Sequence, residues 1–227
     1  MSKKSSAKLP FIHGFAEIPE IKTLLEQRKH ITAQLRKVRR RIVTKSKEYA
    51  FLVNMVMPNN DDQYALEKAL KEYFIAIGYE KNKVKWLGKH SDREDLQLHG
   101  GHRITMIEAK NVSKDNIKQS DITQPHFRIE LLKNNPEFKG KELHGLIIAN
   151  CENAIPIMKR KKIPLDKNKV EYLANAGYGF VTTQELVLIF LSFKAGDISL
   201  EEFDRQLHQI GVIEFRVNKS ALQARPS

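Results

Sequence analysis

Residues Arg93 to Lys110 read REDLQLHGGHRITMIEAK, and the reading of this stretch decides the fold. Leu96, Leu98, Ile104, Met106 and Ile107 supply apolar strand positions, and Gly100-Gly101 supplies a two-residue turn. With those glycines as the loop, His99 pairs with His102 and Asp95 lies opposite Met106. Side chains along a strand alternate between faces. Glu108 and Lys110 therefore share a face with Met106, and so with Asp95. Asp95 and Glu108 become diagonal neighbours across the hairpin, their Cβ atoms roughly 7–8 Å apart or a little less. Two carboxylates at that spacing can lean onto one hard cation, with the Lys110 ammonium beside them.

Strand 102–109 carries apolar residues on both faces, Ile104 and Met106 on one and Ile107 and Ala109 on the other. That pattern belongs to a central strand covered on both sides. Carboxylates and a lysine at the end of such a strand are costly unless they satisfy one another or a metal. This cost is the physical reason to read them as a site.

Asp95, a hairpin, then Glu108-Ala109-Lys110 resembles the D…(D/E)-x-K signature of the PD-(D/E)xK nucleases, the restriction-endonuclease-like superfamily. The resemblance spans roughly residues 60 to 190. Glu94 stands where the family name advertises proline, a residue many members lack. The resemblance implies an α/β fold, a three-layer sandwich with a central mixed sheet. It also implies Mg²⁺-dependent hydrolysis of phosphodiester bonds, with Mn²⁺ able to substitute. Asp95, Glu108 and the backbone carbonyl of Ala109 would hold the ion, and Lys110 would position the attacking water. In the superfamily the helix before the first core strand often contributes a glutamate, and Glu67 is the matching position. Its other reading is an exposed residue pairing with Lys71 at i+4. A polar residue on the helix after the E-x-K strand often completes the site. Gln124 is the candidate there, with Gln119 as the alternative.

The chain has 227 residues, room for one domain plus an extension, and 41% hydrophobic content, enough for a core. No apolar run approaches the ~18 residues of a membrane span. The basic N-terminus lacks the apolar region of a signal peptide. Cys151 is the only cysteine, which excludes an internal disulfide and fits a reducing cytoplasm. Of the net charge of +12, residues 1–58 carry 13 Lys/Arg against 4 acidic residues. A basic extension on a near-neutral domain points to a polyanion partner or to simple solubility.

Residues 1–19 read as a basic tail. Residues 20–57 read as one long helix without internal Gly or Pro, its apolar positions at alternating 3-4 spacing from Ile21 to Val56. At 1.5 Å per residue such a helix is about 55 Å long. It therefore pairs with a second copy of itself or with a partner's helix as a coiled coil. Arg36, Lys37, Arg39, Arg40 and Arg41 form either a solvated surface or a phosphate-contacting face. The nuclease-like domain follows at 59–217, and 218–227 reads as an unstructured tail. Within the domain we expect a helix over 61–77, a strand over 83–87, and a helix over 113–134 kinked near Pro125. Strands are expected over 143–150 and 178–181. Capping boxes at Thr182/Glu185 and Ser199/Glu202 open two further helices, and 212–217 reads as an edge strand. Lys159, Arg160, Lys161 and Lys162 make a basic loop that either tracks a nucleic-acid backbone or is solvated.

His99 and His102 read as ordinary turn residues, and Cys151 as a small buried hydrophobe. Neither a phosphate-binding glycine loop nor a dinucleotide fingerprint is present. The function expected is a metal-dependent nuclease, with DNA the favoured substrate, working in restriction, antiviral defence or repair. The alternative is a non-cutting nuclease fold that binds nucleic acid or acts as an adaptor through its coiled coil.

Overall fold

The computed structural model describes residues 49–57, 62–88, 94–113 and 117–217, except for the side chains of Gln124, Phe127 and Met158. The chain divides into two compact units, 1–50 and 51–227, and the sheet lies in the second. The expected basic tail, 1–19, and the expected unstructured tail, 218–227, lie outside the described residues. So does most of the 20–57 helix, with Arg36, Lys37, Arg39, Arg40 and Arg41.

A six-stranded mixed sheet organises the domain. Its strands are β1 (Val84–Trp86), β2 (Leu96–His99), β3 (Arg103–Asn111), β4 (Glu142–Asn150), β5 (Gly179–Thr182) and β6 (Gly211–Val212). They lie side by side in chain order. The first three form an antiparallel meander. From β3 onward each neighbour is parallel. Parallel neighbours need crossovers, and helices supply them. The helices are α1 (Ala50–Val56), α2 (Ala65–Ala76), α3 (Gln119–Lys133), α4 (Lys167–Ala176), α5 (Thr183–Lys194) and α6 (Leu200–Leu207).

Helices cover both faces, giving the expected three layers. On one side α3 and α4 lay Ile122, Ile129 and Leu173 against Ile104, Met106, Ile147 and Phe180. On the other an aromatic cluster joins α1, α2, α5 and α6 through Phe51, Tyr73, Phe190 and Phe203. The Tyr73 hydroxyl, fully buried, donates to the Leu186 carbonyl at 2.9 Å. Gly145 lets the first layer close. A Cβ there would lie 2.5 Å from the Tyr178 ring and 2.8 Å from Ile129. No helix among the described residues is long and apolar enough to cross a membrane.

Several expectations need correction. The hairpin loop is Gly101-His102, closed by the Gly100 N–H donating to the Arg103 carbonyl at 2.8 Å. His99 therefore pairs with Ile104 rather than His102. The reason is apolar matching. This register sets Leu96 opposite Ile107, both with no exposed surface, where the glycine-loop register would set Leu96 opposite Thr105. The helix expected over 61–77 is Ala65–Ala76, preceded by a turn in which Asp62 accepts from the Tyr64 N–H. The helix expected from 113 opens at Gln119 and runs through Pro125 without a break.

Helix α4 was not foreseen, although Asp166 caps its start and Gly177, at φ 74°, ends it. Thr182 and Ser199 cap their helices as expected. Glu185, however, accepts from the Phe215 N–H, and Glu202 pairs with Arg205 and Gln206, so each acid has other work than a capping box. The edge strand shrinks from 212–217 to Gly211–Val212.

Candidate active site

The site grows from the end of the β2–β3 hairpin. Asp95 sits at a bend one residue before β2. Its N–H donates to the Ile107 carbonyl at 3.0 Å, and its own carbonyl accepts from the Leu87 N–H at 3.1 Å. Its side chain turns across the hairpin, and Oδ2 accepts from the Ala109 N–H at 2.7 Å. The observed register, continued one step, sets Asp95 level with Glu108. The expected diagonal thus becomes a direct juxtaposition. Moving the loop by one residue changes the pairing by two, and an even change preserves faces.

Glu108 is nearly buried, its side chain 5% exposed, and is gripped from two directions. Lys110 Nζ donates to Oε1 at 2.6 Å, and Arg128 Nη1, reaching from α3, donates to Oε2. Asp121, two turns earlier on α3, lies 3.9 Å from Lys110 Nζ. Glu67, on the first turn of α2, accepts from the Trp86 indole N–H at 2.8 Å.

Electrostatics mark the cluster as charge-frustrated. Burial and then the neighbouring Glu108 push the Asp95 carboxyl up to about 7, against the opposing pull of the Ala109 N–H. Burial raises Glu67 as well, with the Glu108 charge adding to it and the Trp86 bond opposing it. Four acids (Glu67, Asp95, Glu108, Asp121) meet two bases (Lys110, Arg128). Fully ionised, the group would carry a formal charge of −2. Among the described residues no three His, Cys, Asp or Glu side chains gather into a ready-made metal cage. Two carboxylates with the Ala109 carbonyl are nevertheless a donor set that suits a hard cation retaining several waters. A divalent ion would relieve the repulsion that raises Asp95, so the residues present fit it.

Comparison with known proteins places the architecture. No family model matches the sequence, and no curated protein resembles it. Among solved structures, restriction endonuclease FokI matches with a TM-score of 0.51 at 17% identity, over 74% of this chain and 31% of that one. FokI bound to DNA matches with the same score and identity, over 30% of its length. The chain has the restriction-endonuclease-like fold. It spans less than a third of FokI's length, and at this identity the likeness concerns the fold.

Within that restriction-endonuclease-like fold, the residues singled out from sequence divide clearly. Asp95, Glu108, Ala109 and Lys110 come together. Glu67 joins them within electrostatic range and takes Trp86, not Lys71, as its partner. Gln124 falls in α3, three residues after Asp121 and four before Arg128. Gln119 is exposed at the first position of that helix. The basic loop is split. Lys159, Lys161 and Lys162 are exposed, and Lys162 pairs with Glu214 at 3.1 Å. Arg160 instead turns inward. It donates to the Asn150 side chain and the Val56 carbonyl at 2.7 Å each, and to the Ile155 carbonyl at 2.9 Å. Its guanidinium ties three segments of the domain, which removes it from a phosphate-facing role.

Cys151 is buried as expected, and burial pushes its thiol up to about 12. His99 bonds the Gln97 side chain, and His102 lies 3.7 Å from Glu142, as turn histidines with local partners. Sequence reading missed Arg128 and Asp121, which α3 carries to Glu108 and Lys110 from positions one residue before the buried Ile129 and Ile122.

Proposed function

We propose that this chain is a divalent-metal-dependent nuclease that hydrolyses phosphodiester bonds, with DNA as its substrate. One observation carries the reading. In a restriction-endonuclease-like fold, Asp95 and the Glu108-Ala109-Lys110 run converge at one end of the central strand, with Glu108 held between two cations.

Asp95, Glu108 and the Ala109 carbonyl would hold Mg²⁺, or Mn²⁺ in its place. Such an ion, when bound, neutralises charge on the phosphate and lowers the pKa of water. The remaining work belongs to the chain. The Ala109 N–H donates to Asp95 Oδ2 and so fixes the carboxylate across the hairpin. Arg128 holds Glu108 in one rotamer from the side of α3. Lys110, partly exposed, is the cation of the pair that shares a strand face with both carboxylates. It orients the attacking water and then offsets charge that builds on the phosphate oxygens. Glu67 and Gln124 are the proposed residues that would hold water or a second ion. Lys159, Lys161 and Lys162, with Arg36, Lys37, Arg39, Arg40 and Arg41, are proposed backbone contacts, which position DNA without reading its sequence. The 20–57 helix pairs two copies of the chain or docks it on a partner.

Incubation of circular and linear DNA with Mg²⁺ or Mn²⁺, beside EDTA, tests the reading. Cutting should need the metal and should vanish in Glu108→Ala and Lys110→Ala. Cutting that survives both substitutions, or its absence from the wild type on every DNA tried, would overturn it.

A further inference from the structure

The chain's single tryptophan does not serve the core. Trp86 ends β1, the edge strand of the sheet, and is only half-buried. Its indole N–H is pinned to Glu67. Tyr64 stands against it edge-on, with ring centroids 6.0 Å apart at 63°. Lys68 Nζ lies 5.5 Å from the indole and 6.0 Å from the Tyr64 ring. Asp62 tethers that ammonium at 2.9 Å. Tyr64, Glu67 and Lys68 are spaced i, i+3, i+4, so one helical face carries all three.

This aromatic pair borders the carboxylate centre. Trp86 pairs with Leu96, the residue after Asp95. The next residue, Leu87, donates its N–H to the Asp95 carbonyl. The acceptor of the indole bond, Glu67, is itself one of the site's acids. Solvent-reached aromatic rings with a cation at their rim, beside a phosphodiester-cutting centre, have the chemistry of a base-stacking platform.

We propose that Trp86 and Tyr64, with Lys68, stack an unpaired DNA base next to the scissile phosphate. The enzyme thereby favours strands whose bases are already free, such as overhangs or single-stranded segments. The inference rests on the nuclease reading for its choice of DNA. The bond to Glu67 fixes the plane of the indole, so no rotamer freedom is lost when a base arrives. Lys68 offers little resistance, because exposed ion pairs such as Lys68–Asp62 are weak. An incoming base can displace the ammonium from the ring and leave it to meet the adjoining phosphate. A base inside a duplex is already stacked and must first be unpaired, so a blunt duplex gains nothing here.

The test uses the full chain in EDTA, where cutting is blocked. Tryptophan emission, which reports only Trp86, is followed while adding single-stranded oligonucleotide, duplex with a single-stranded overhang, or blunt duplex. Saturable quenching is expected from the first two and not from the third. By anisotropy of labelled DNA, Trp86→Ala should bind the single strand about 5- to 150-fold more weakly, the equivalent of ~1–3 kcal/mol of stacking. Its blunt-duplex affinity should be unchanged. Trp86→Phe, which keeps a π face and loses the N–H, should retain most of the single-strand affinity. Equal quenching by blunt duplex, no quenching by any of the three, or unaltered single-strand binding in a folded Trp86→Ala would overturn the proposal. Quenching by the single strand without metal-dependent cutting would leave the platform standing and remove the nuclease reading. Cutting without quenching would do the reverse.

Discussion

Asparagine at position 95 should make the metal-free protein more stable while abolishing cleavage. The Asp95 carboxyl is raised to about 7 by burial and by Glu108, against an ordinary value of about 3.9 in the unfolded chain. Between those values the native state holds a proton that the unfolded state has released. Stability therefore falls as pH rises from about 4 to about 7, and above that it stays low. A shift of about 3 units corresponds to about 4 kcal/mol. That net shift already includes the pull of the Ala109 N–H on the charged carboxylate, and asparagine Oδ1 keeps the bond as a neutral acceptor, as the protonated acid would. The gain at pH 8 in EDTA is therefore about 4 kcal/mol. For a domain of this size that is about 8–16 °C in Tm. Thermal unfolding across pH 4.5 to 8.5 would measure it. The gain should shrink toward zero at the acid end. Millimolar Mg²⁺ should stabilise the wild type and leave Asp95→Asn unmoved, since only binding to the native state shifts the equilibrium. A gain of equal size at pH 4.5 and pH 8, or none at pH 8, would refute the charge-repulsion account.

Gly145→Ala should cost about 1–3 kcal/mol in urea unfolding, because its methyl group would press on Tyr178 and Ile129. Cleavage should drop with it, since Ile129 adjoins Arg128 on α3. His144 is buried with its Nε2 unpartnered, and its pKa is lowered to about 4 by burial and then by His208 and Arg103. The native state excludes a proton that the unfolded chain binds. Stability from this residue is full above about 6.5 and is lost as pH falls through about 4, by up to about 3 kcal/mol. His144→Gln should flatten that part of the stability profile, as read by denaturant unfolding at pH 4 to 7.

The two carboxylates and the lysine were legible because a strand's period of two is robust. The loop position was off by one residue, yet Asp95, Glu108 and Lys110 kept their common face. Arg128 was hidden because it arrives from a helix whose first residue the sequence does not mark. Lys118 and Gln119 open α3 without a side-chain cap of the usual Ser, Thr, Asp or Asn kind. Helix α4 was hidden by its composition. Its apolar side is short, with Leu173 alone fully buried and Tyr172 and Ala176 packed only partly beside it, among five polar or charged residues. Arg160 sits in a run of four cations that reads as a solvated loop. Its inward turn follows from acceptors at Val56, Asn150 and Ile155, and only the folded chain brings the first of these near.

The central strand β3 belongs to two different kinds of neighbourhood. On one side it closes a tight hairpin with β2, and on the other it lies parallel to β4, across a helical crossover. Contacts with short intervening chain form early, because little loop entropy opposes them, whereas distant ones wait. Asp95 and Ala109 are 14 residues apart and Arg128 and Glu108 are 20 apart, but Tyr73 and Leu186 are separated by 113. By that argument the pairing that sets Asp95 beside Glu108 is expected to form before the Arg128 contact, and the Tyr73–Leu186 bond that ties α2 to α5 after both. A nascent chain released after residue 150 would already hold every proposed metal ligand and still lack the layer that keeps them in place.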